Sequence, residues 1–546
     1  MNTQVFSKFL RFFIVLSLFI SACKKDNPGI DNGGNPDDGS NTKQTPTTDR
    51  MALTNDSIFL YAKQIYYWNE ELPSYDVFEP RQYTSNSDKL RNYETNLLAI
   101  AQYSTARYDI ITHEGVDYTK FSYIEDVSGT GGFTAGVRNL TNSVNLIGEG
   151  NDIGIYDIAA YGSDTDYKVF IKAVYPGSPA AENGLTRGAT ITKIDGETIG
   201  DNWDSDYSYI SKLLEDPFTI RLEGRKANGT AYAVSLSKQR YNSSPIYKDT
   251  VLSANNKNIG YLAYARFSDE DNSFAALSDV FSKFAAQNVE DLIIDLRYNG
   301  GGYVTTAERM ANLIAPNGTT ETMFVEYYNQ LMQDGKATIL KNQPVRDANG
   351  NIVGTGTYAD HSYKPEASGN TVNFKKEGNL GGVKNIVFLV TNNTASASEL
   401  VINSLRGLNT VNIKLVGTTT YGKPVGFFPV RLEGIYDLYL PSFSSKNAKG
   451  EGDYYDGFRP GTDIPGKEMV DNLGQDLDAF SEYDFGDPRE LYLAEALSQL
   501  GVTISTTSSG PLMNVRRRQS TQPSQNMLKN RRVNKEFKGM IETRVR

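Results

Sequence analysis

The chain has 546 residues, enough for two or three domains, with a net charge of −10, two histidines and one cysteine. A lone cysteine excludes an internal disulfide, and an acidic chain without a basic, aromatic-interleaved stripe is a poor partner for nucleic acid. No His/Cys/carboxylate cluster has metal-ligand spacing and no phosphate-binding GxxxxGK[ST] motif is present, so neither a metal nor a cofactor is expected.

In chain order, Lys8 and Arg11 precede an apolar run over 12–20, too short for a comfortable membrane span, which predicts a signal peptide over 1–22. The run ends in ISAC, which resembles the lipobox of bacterial lipoproteins. That resemblance implies cleavage before Cys23, acylation there, and a lipid anchor to a membrane of the bacterial cell envelope, facing the periplasm or on the outer-membrane surface. Residues 23–50, rich in Gly, Asn, Asp, Pro and Thr, read as a disordered tether. The DNGGNPDDGSN stretch lacks the closing glutamate and helices of a calcium loop, and reads as linker.

Residues 51–135 predict a small helical domain. Ile58, Tyr61, Ala62, Ile65 and Trp68 have helical spacing, with Asn55 or Asp56 as cap, and 90–103 repeats the pattern. The aromatic stripe of Tyr61, Tyr66, Tyr67 and Trp68 reads as core, and nothing there has catalytic character. Residues 140–240 predict a β-rich domain, with a strand over 169–174 and a turn, short helix, glycine turn and strand in PGSPAAENGLTRGATITKIDG. Residues 245–505 alternate strands (259–267, 292–296, 386–390, 413–416) with helical runs (274–284, from 396, 489–500), an α/β core with a sheet covered by helices. The polar, Gly-rich 316–380 breaks this alternation as an insertion. The basic segment 506–546 predicts a disordered tail.

Three stretches of the core carry chemistry. TASASE, 394–399, places two serines where a strand meets a helix start, so a hydroxyl can lie beside backbone N–H groups suited to a developing oxyanion. TTYGK, 419–423, delivers Lys423 on a glycine loop; a neutral lysine can take a serine proton, and the histidines His113 and His361 sit in polar, loop-like contexts. DLRYNGGG, 295–302, is a buried strand breaking into a glycine turn, whose N–H groups can complete an oxyanion hole with that of Ala397, or form a tight turn only.

Together, DLRYNGGG, TASASE and TYGK in this order resemble the C-terminal processing peptidases, or tail-specific proteases, Ser-Lys endopeptidases that carry a PDZ domain. The similarity spans about 130–500. It implies Ser396, not Ser398, as nucleophile, Lys423 as base, and Ala397 with Gly300 or Gly301 as oxyanion donors. It also implies a PDZ-like domain at 140–240 whose loop Asp152, Ile153, Gly154 and Ile155 holds the carboxylate of a peptide added to a sheet edge. The implied partners are protein or peptide substrates with free C-termini. The chain departs from the family at Pro424, where glycine is usual, at Phe427, where a glutamine commonly orients the lysine, and in a slightly longer 408–414 segment. The alternative is a peptide-binding lipoprotein or scaffold of the same fold with little turnover.

Overall fold

The computed structural model describes residues 43–113, 115–128, 144–215, 217–346, 351–469, 483–502 and 539–542. The predicted leader, Cys23 and most of the tether and tail lie outside them. Among the described residues no helix is long and apolar enough to cross a membrane.

The core is built on a sheet ordered Ile246–Ala254, Lys257–Tyr264, Asp291–Asp295, Asn385–Val390, Asn412–Gly417 and Gly466–Glu468. Its first pair is antiparallel and the rest are parallel. Both faces are covered, which is why these strands read as continuous apolar runs without alternation. Leu292, Ile294, Ile386 and Phe388 face one layer, shared with Leu277, Phe281 and Phe284 of helix Glu270–Ala286 and with Leu400 and Val401 of helix Ala397–Arg406. Ile293, Val387 and Leu389 face the other, against Leu493, Ala496 and Leu497 of helix Leu491–Gln499. The predicted core elements are thus present, with ends shifted by a few residues.

The stretch 316–380 is more ordered in role than an insertion implies. Its strand Thr322–Tyr328 pairs with Phe443–Lys446, in a second sheet that also holds Val425–Gly426 just after Lys423. The PDZ-like domain is an antiparallel sheet ordered Ala231–Ser237, Thr219–Arg225, Thr190–Ile194, Asp166–Val174 and Ile155–Ser163, filled by Trp203 and Ile210 of helix Trp203–Ile210. Ile155–Ser163 lies at its edge, with no further strand paired to it among the described residues.

The N-terminal region differs from its expected form. Its first helix runs Arg50–Ile65 and is capped by Asp49, whose carboxylate accepts from Met51 N–H. Asn55 and Asp56, the expected caps, are buried within it, and Asp56 accepts from the Tyr75 hydroxyl at 2.6 Å. The second helix runs Lys89–Ala101. Beyond it the chain is extended: Ile110–His113 and Val116–Thr119 form a hairpin, and Tyr123–Asp126 joins core strand Tyr436–Tyr439. The described part of the basic tail differs too. Gly539–Ile541 is a strand, parallel to Gly301–Tyr303.

A buried ionic cluster ties the PDZ-like sheet to the core. Arg297, 1 % exposed, reaches Asp295 at 2.6 Å and Glu490 at 2.7 Å, and Arg187 reaches Glu490 at 3.3 Å. Burial raises the Glu490 carboxyl, but Arg297 and Arg187 outweigh it and hold it below the ordinary range. Glu490→Ala leaves two guanidinium groups buried without that anion. It should destabilise the fold by about 3–5 kcal/mol in urea unfolding. A loss below about 1 kcal/mol, typical of an exposed pair, would contradict the cluster's burial.

Candidate active site

The site begins where strand Asn385–Val390 ends. Thr394 donates to Leu296 carbonyl at 2.6 Å, Ala395 N–H to Asn299 carbonyl at 3.1 Å, and Ser398 Oγ to the same carbonyl at 3.0 Å. These bonds stitch TASASE onto the end of the DLRYNGGG strand. Ser398 therefore serves the turn. Ser396 does not: its Oγ is buried and has no hydrogen-bond partner. Its backbone sits at φ 58° and ψ −109°, a strained setting for a residue with a Cβ, and helix Ala397–Arg406 starts immediately after it. The helix start presents the Ala397 N–H next to Ser396, at the positive end of the helix dipole.

Glu399 organises the rest. One carboxylate oxygen accepts from Ser396 N–H at 2.8 Å and Lys423 N–H at 2.9 Å; the other accepts from Gly422 N–H at 2.7 Å and from the Thr420 hydroxyl. The same buried anion thus fixes the backbones of both predicted reactive residues. Burial raises its carboxyl above the ordinary range, against the pull of these donors.

Lys423 is fully buried. Burial lowers its pKa to about 7, although Asp109 and Glu399 act to raise it; Lys120 lowers it further. Its ammonium lies 4.1 Å from the centre of the Phe427 ring and 5.6 Å from that of Phe121. Phe427 thus meets the lysine through an aromatic face where a glutamine is common. Asp109 and Phe121 come from the N-terminal region, so that region walls the site after all. Asp109 is held there by Tyr66 Oη at 2.8 Å and by the Phe121 and Ser122 N–H groups.

The glycine turn lies against the start of the Ser396 helix. A Cβ placed on Gly301, at φ +109°, would fall 3.0 Å from the Ala397 nitrogen. Of the two predicted donors in the turn, Gly301 gives its N–H to Asn299 Oδ1 at 2.9 Å, which leaves Gly300 to act with Ala397. The loop Asp152, Ile153, Gly154 and Ile155 lies in the PDZ-like domain and all four are buried. Asp152 Oδ1 accepts from Gly154 N–H at 2.6 Å and from Tyr241 Oη at 2.7 Å, so this N–H is already engaged by an acidic side chain. His113 is exposed on its hairpin and His361 packs near Tyr358. Among the described residues there is no cluster of His, Cys, Asp and Glu that could hold a metal ion.

Sequence reasoning missed Glu399, the Asp109–Phe121 wall and the Gly539 strand. Only Glu399 carried a local signal, an acidic residue three positions into a helix behind a serine cap position.

Residues 258–452, which include Ser396, Lys423 and the glycine turn, match Peptidase family S41, and residues 170–223 match a PDZ domain. The chain belongs to the C-terminal processing peptidase family. Among curated relatives it is 24% identical over 267 residues to the carboxy-terminal processing protease CtpA of Bacillus subtilis, covering 49% of this chain and 47% of that protein. It is also 24% identical over 279 residues to the chloroplastic C-terminal processing peptidase of Tetradesmus obliquus, covering 48% and 49%. The chain therefore spans about half the length of these C-terminal processing peptidases. An S41-protease chain of Bacteroides fragilis shares the fold, with a TM-score of 0.54 at 22% identity over 82% of this chain and 98% of that one.

Proposed function

We propose that this protein is a serine endopeptidase in which Ser396 attacks the scissile carbonyl and Lys423 is the base. Lys423 Nζ takes the Ser396 proton as the ester bond to the substrate forms, then delivers it to the leaving amine; water subsequently hydrolyses the acyl-enzyme. The N–H groups of Ala397 and Gly300 face the oxyanion. The observation that carries this reading is the shared Glu399 oxygen, which fixes Ser396 and a lysine lowered to about 7 on one buried anchor. Incubation with an unstructured protein ending in apolar residues tests it. C-terminally trimmed fragments are expected; binding without cleavage would instead favour a peptide-binding scaffold.

Substrate tails are recruited in this proposal by strand addition at the edge of Ile155–Ser163. With Gly154 N–H held by Asp152, the terminal charge contributes little. Amidating a long substrate's C-terminus should slow its cleavage less than about threefold, whereas aspartates in its last apolar positions should slow it more than tenfold, since a buried unpaired charge is costly. A much larger effect of amidation would return the carboxylate to the centre of recognition.

The site is further proposed to act on exported proteins from a lipid anchor at Cys23 in a bacterial envelope membrane. Cys23→Ser should move the protein from the membrane to the soluble fraction with cleavage unchanged. Retention of a variant that incorporates no fatty acid would exclude the anchor.

A further inference from the structure

The site described above is closed. Ser396 and Lys423 are both 0 % exposed, so a peptide has no route to the serine as the chain stands. One of the elements against it is not part of the peptidase core. Gly539–Ile541 runs parallel to Gly301–Tyr303, in the register Gly301 to Gly539, Gly302 to Met540 and Tyr303 to Ile541. Gly539 N–H donates to Gly300 carbonyl at 3.1 Å, and Glu542 N–H donates to Phe427 carbonyl at 3.1 Å. The strand is therefore held between the glycine turn and the residue whose ring covers Lys423.

Its position relative to the oxyanion donors is specific. The point where a Cβ on Gly301 would stand is 2.4 Å from the Gly539 carbonyl oxygen and 3.0 Å from the Ala397 nitrogen. The segment's carbonyl thus lies beside the N–H that would receive an oxyanion. Two residues further on, Ile541 is fully buried among Leu146, Tyr303, Phe427 and Tyr439. Tyr123 stacks on Tyr439 at 4.4 Å and stands edge-on to Phe427 at 5.6 Å, closing an aromatic box around one branched aliphatic side chain. A short polar segment without such a destination would gain too little buried area to offset the entropy of ordering it.

We propose that Gly539–Glu542 is an intramolecular substrate mimic, and that the groove it fills is the site's binding cleft for extended peptides. The cleft takes a small residue at the Ala397 and Gly300 donors and a branched aliphatic residue two positions later, in the box of Leu146, Tyr303, Phe427 and Tyr439. Backbone hydrogen bonds to the glycine edge and to Phe427 supply the affinity, and the box supplies the selectivity. Tethering raises the mimic's effective concentration, so it competes with substrates in trans. This assignment rests on the peptidase reading for its biological sense, but its test does not depend on turnover.

The probe is a fluorescein-labelled peptide of residues 538–546, KGMIETRVR, titrated with the full-length chain and followed by anisotropy. Ile541→Asp places an unpaired charge in the box and should expel the segment. The variant should then bind the peptide at least about tenfold more tightly than the parent chain does, as expected when a tethered competitor is withdrawn. A peptide with Asp at the Ile541 position should not bind the variant. Gly539→Pro, which removes the N–H donated to Gly300, should act in the same direction without introducing a charge. Thermal melting of both variants reports whether the core is intact. Equal affinity of parent and intact variants for the peptide would overturn the proposal. So would tighter peptide binding by the parent on dilution, which would mean that the segment comes from a second copy. If the peptidase reading also holds, Ile541→Asp raises the cleavage of short substrates carrying Gly-x-Ile. Tighter binding with no cleavage in any form would sink the peptidase reading and leave the groove assignment standing.

Discussion

Ser396→Ala should lower the rate of peptide cleavage by about a millionfold while the protein melts as before, because only the attacking hydroxyl is lost. Two features of the site set this expectation. The Ser396 hydroxyl has no partner whose loss would disturb the fold, and Ser398, two residues away, already donates to the Asn299 carbonyl. The paired variant Ser398→Ala should keep activity within about tenfold and lose about 1 kcal/mol of stability with that hydrogen bond. Both are measured on one peptide substrate and by thermal unfolding. If Ser398→Ala is the inactive variant and Ser396→Ala the active one, the nucleophile is misassigned.

Lys423 variants should lose activity by a similar factor, and with a diagnostic pH dependence. The base works only when neutral. With its pKa lowered to about 7 by burial, kcat/KM of the parent should rise about tenfold per pH unit below 7 and level off above it. Lys423→Arg should not restore activity at any accessible pH, since a guanidinium stays protonated. Stability supplies an independent check. Between about pH 7 and the ordinary lysine range the unfolded chain binds a proton that the folded chain lacks, so this group's contribution to stability rises with pH across that window. Lys423→Met removes the cost of burying the amine. It should therefore melt at a higher temperature than the parent near neutral pH, although it is inactive. A flat pH profile from 5 to 9, or a Lys423→Met protein that unfolds, would count against a buried neutral lysine.

Much of the core was legible in the sequence because its strands are buried on both faces and its helices carry regular apolar spacing. Runs such as 386–390 and the spacing of Leu277, Phe281 and Phe284 have few other solutions. The serine and lysine loops were legible because small residues and a glycine recur there at a strand end. The N-terminal region was harder. Asn55 and Asp56 look like caps, yet they are buried inside a helix because Tyr75 and Arg81 arrive from later in the chain to satisfy Asp56. Strand Tyr123–Asp126 was missed because its partner, Tyr436–Tyr439, lies some 300 residues away in sequence. Asp152 gives no local sign that it holds Gly154 N–H, a bond that removes one donor from the expected carboxylate loop. In the tail, a lone Gly-Met-Ile amid basic residues has no periodicity, and only the groove it meets gives it a conformation.

Glu399 has a mechanical consequence. Because one of its oxygens binds the backbones of both Ser396 and Lys423, the two loops behave as a single rigid piece, and drawing them apart would strand a buried carboxylate with its donors removed. Inactivating this protein by prising nucleophile from base is therefore the costly route. Control over such a site is cheapest at its walls, where Tyr123–Asp126 and Gly539–Ile541 are each fastened by only a few backbone bonds, and can come and go while the chemistry inside stays assembled.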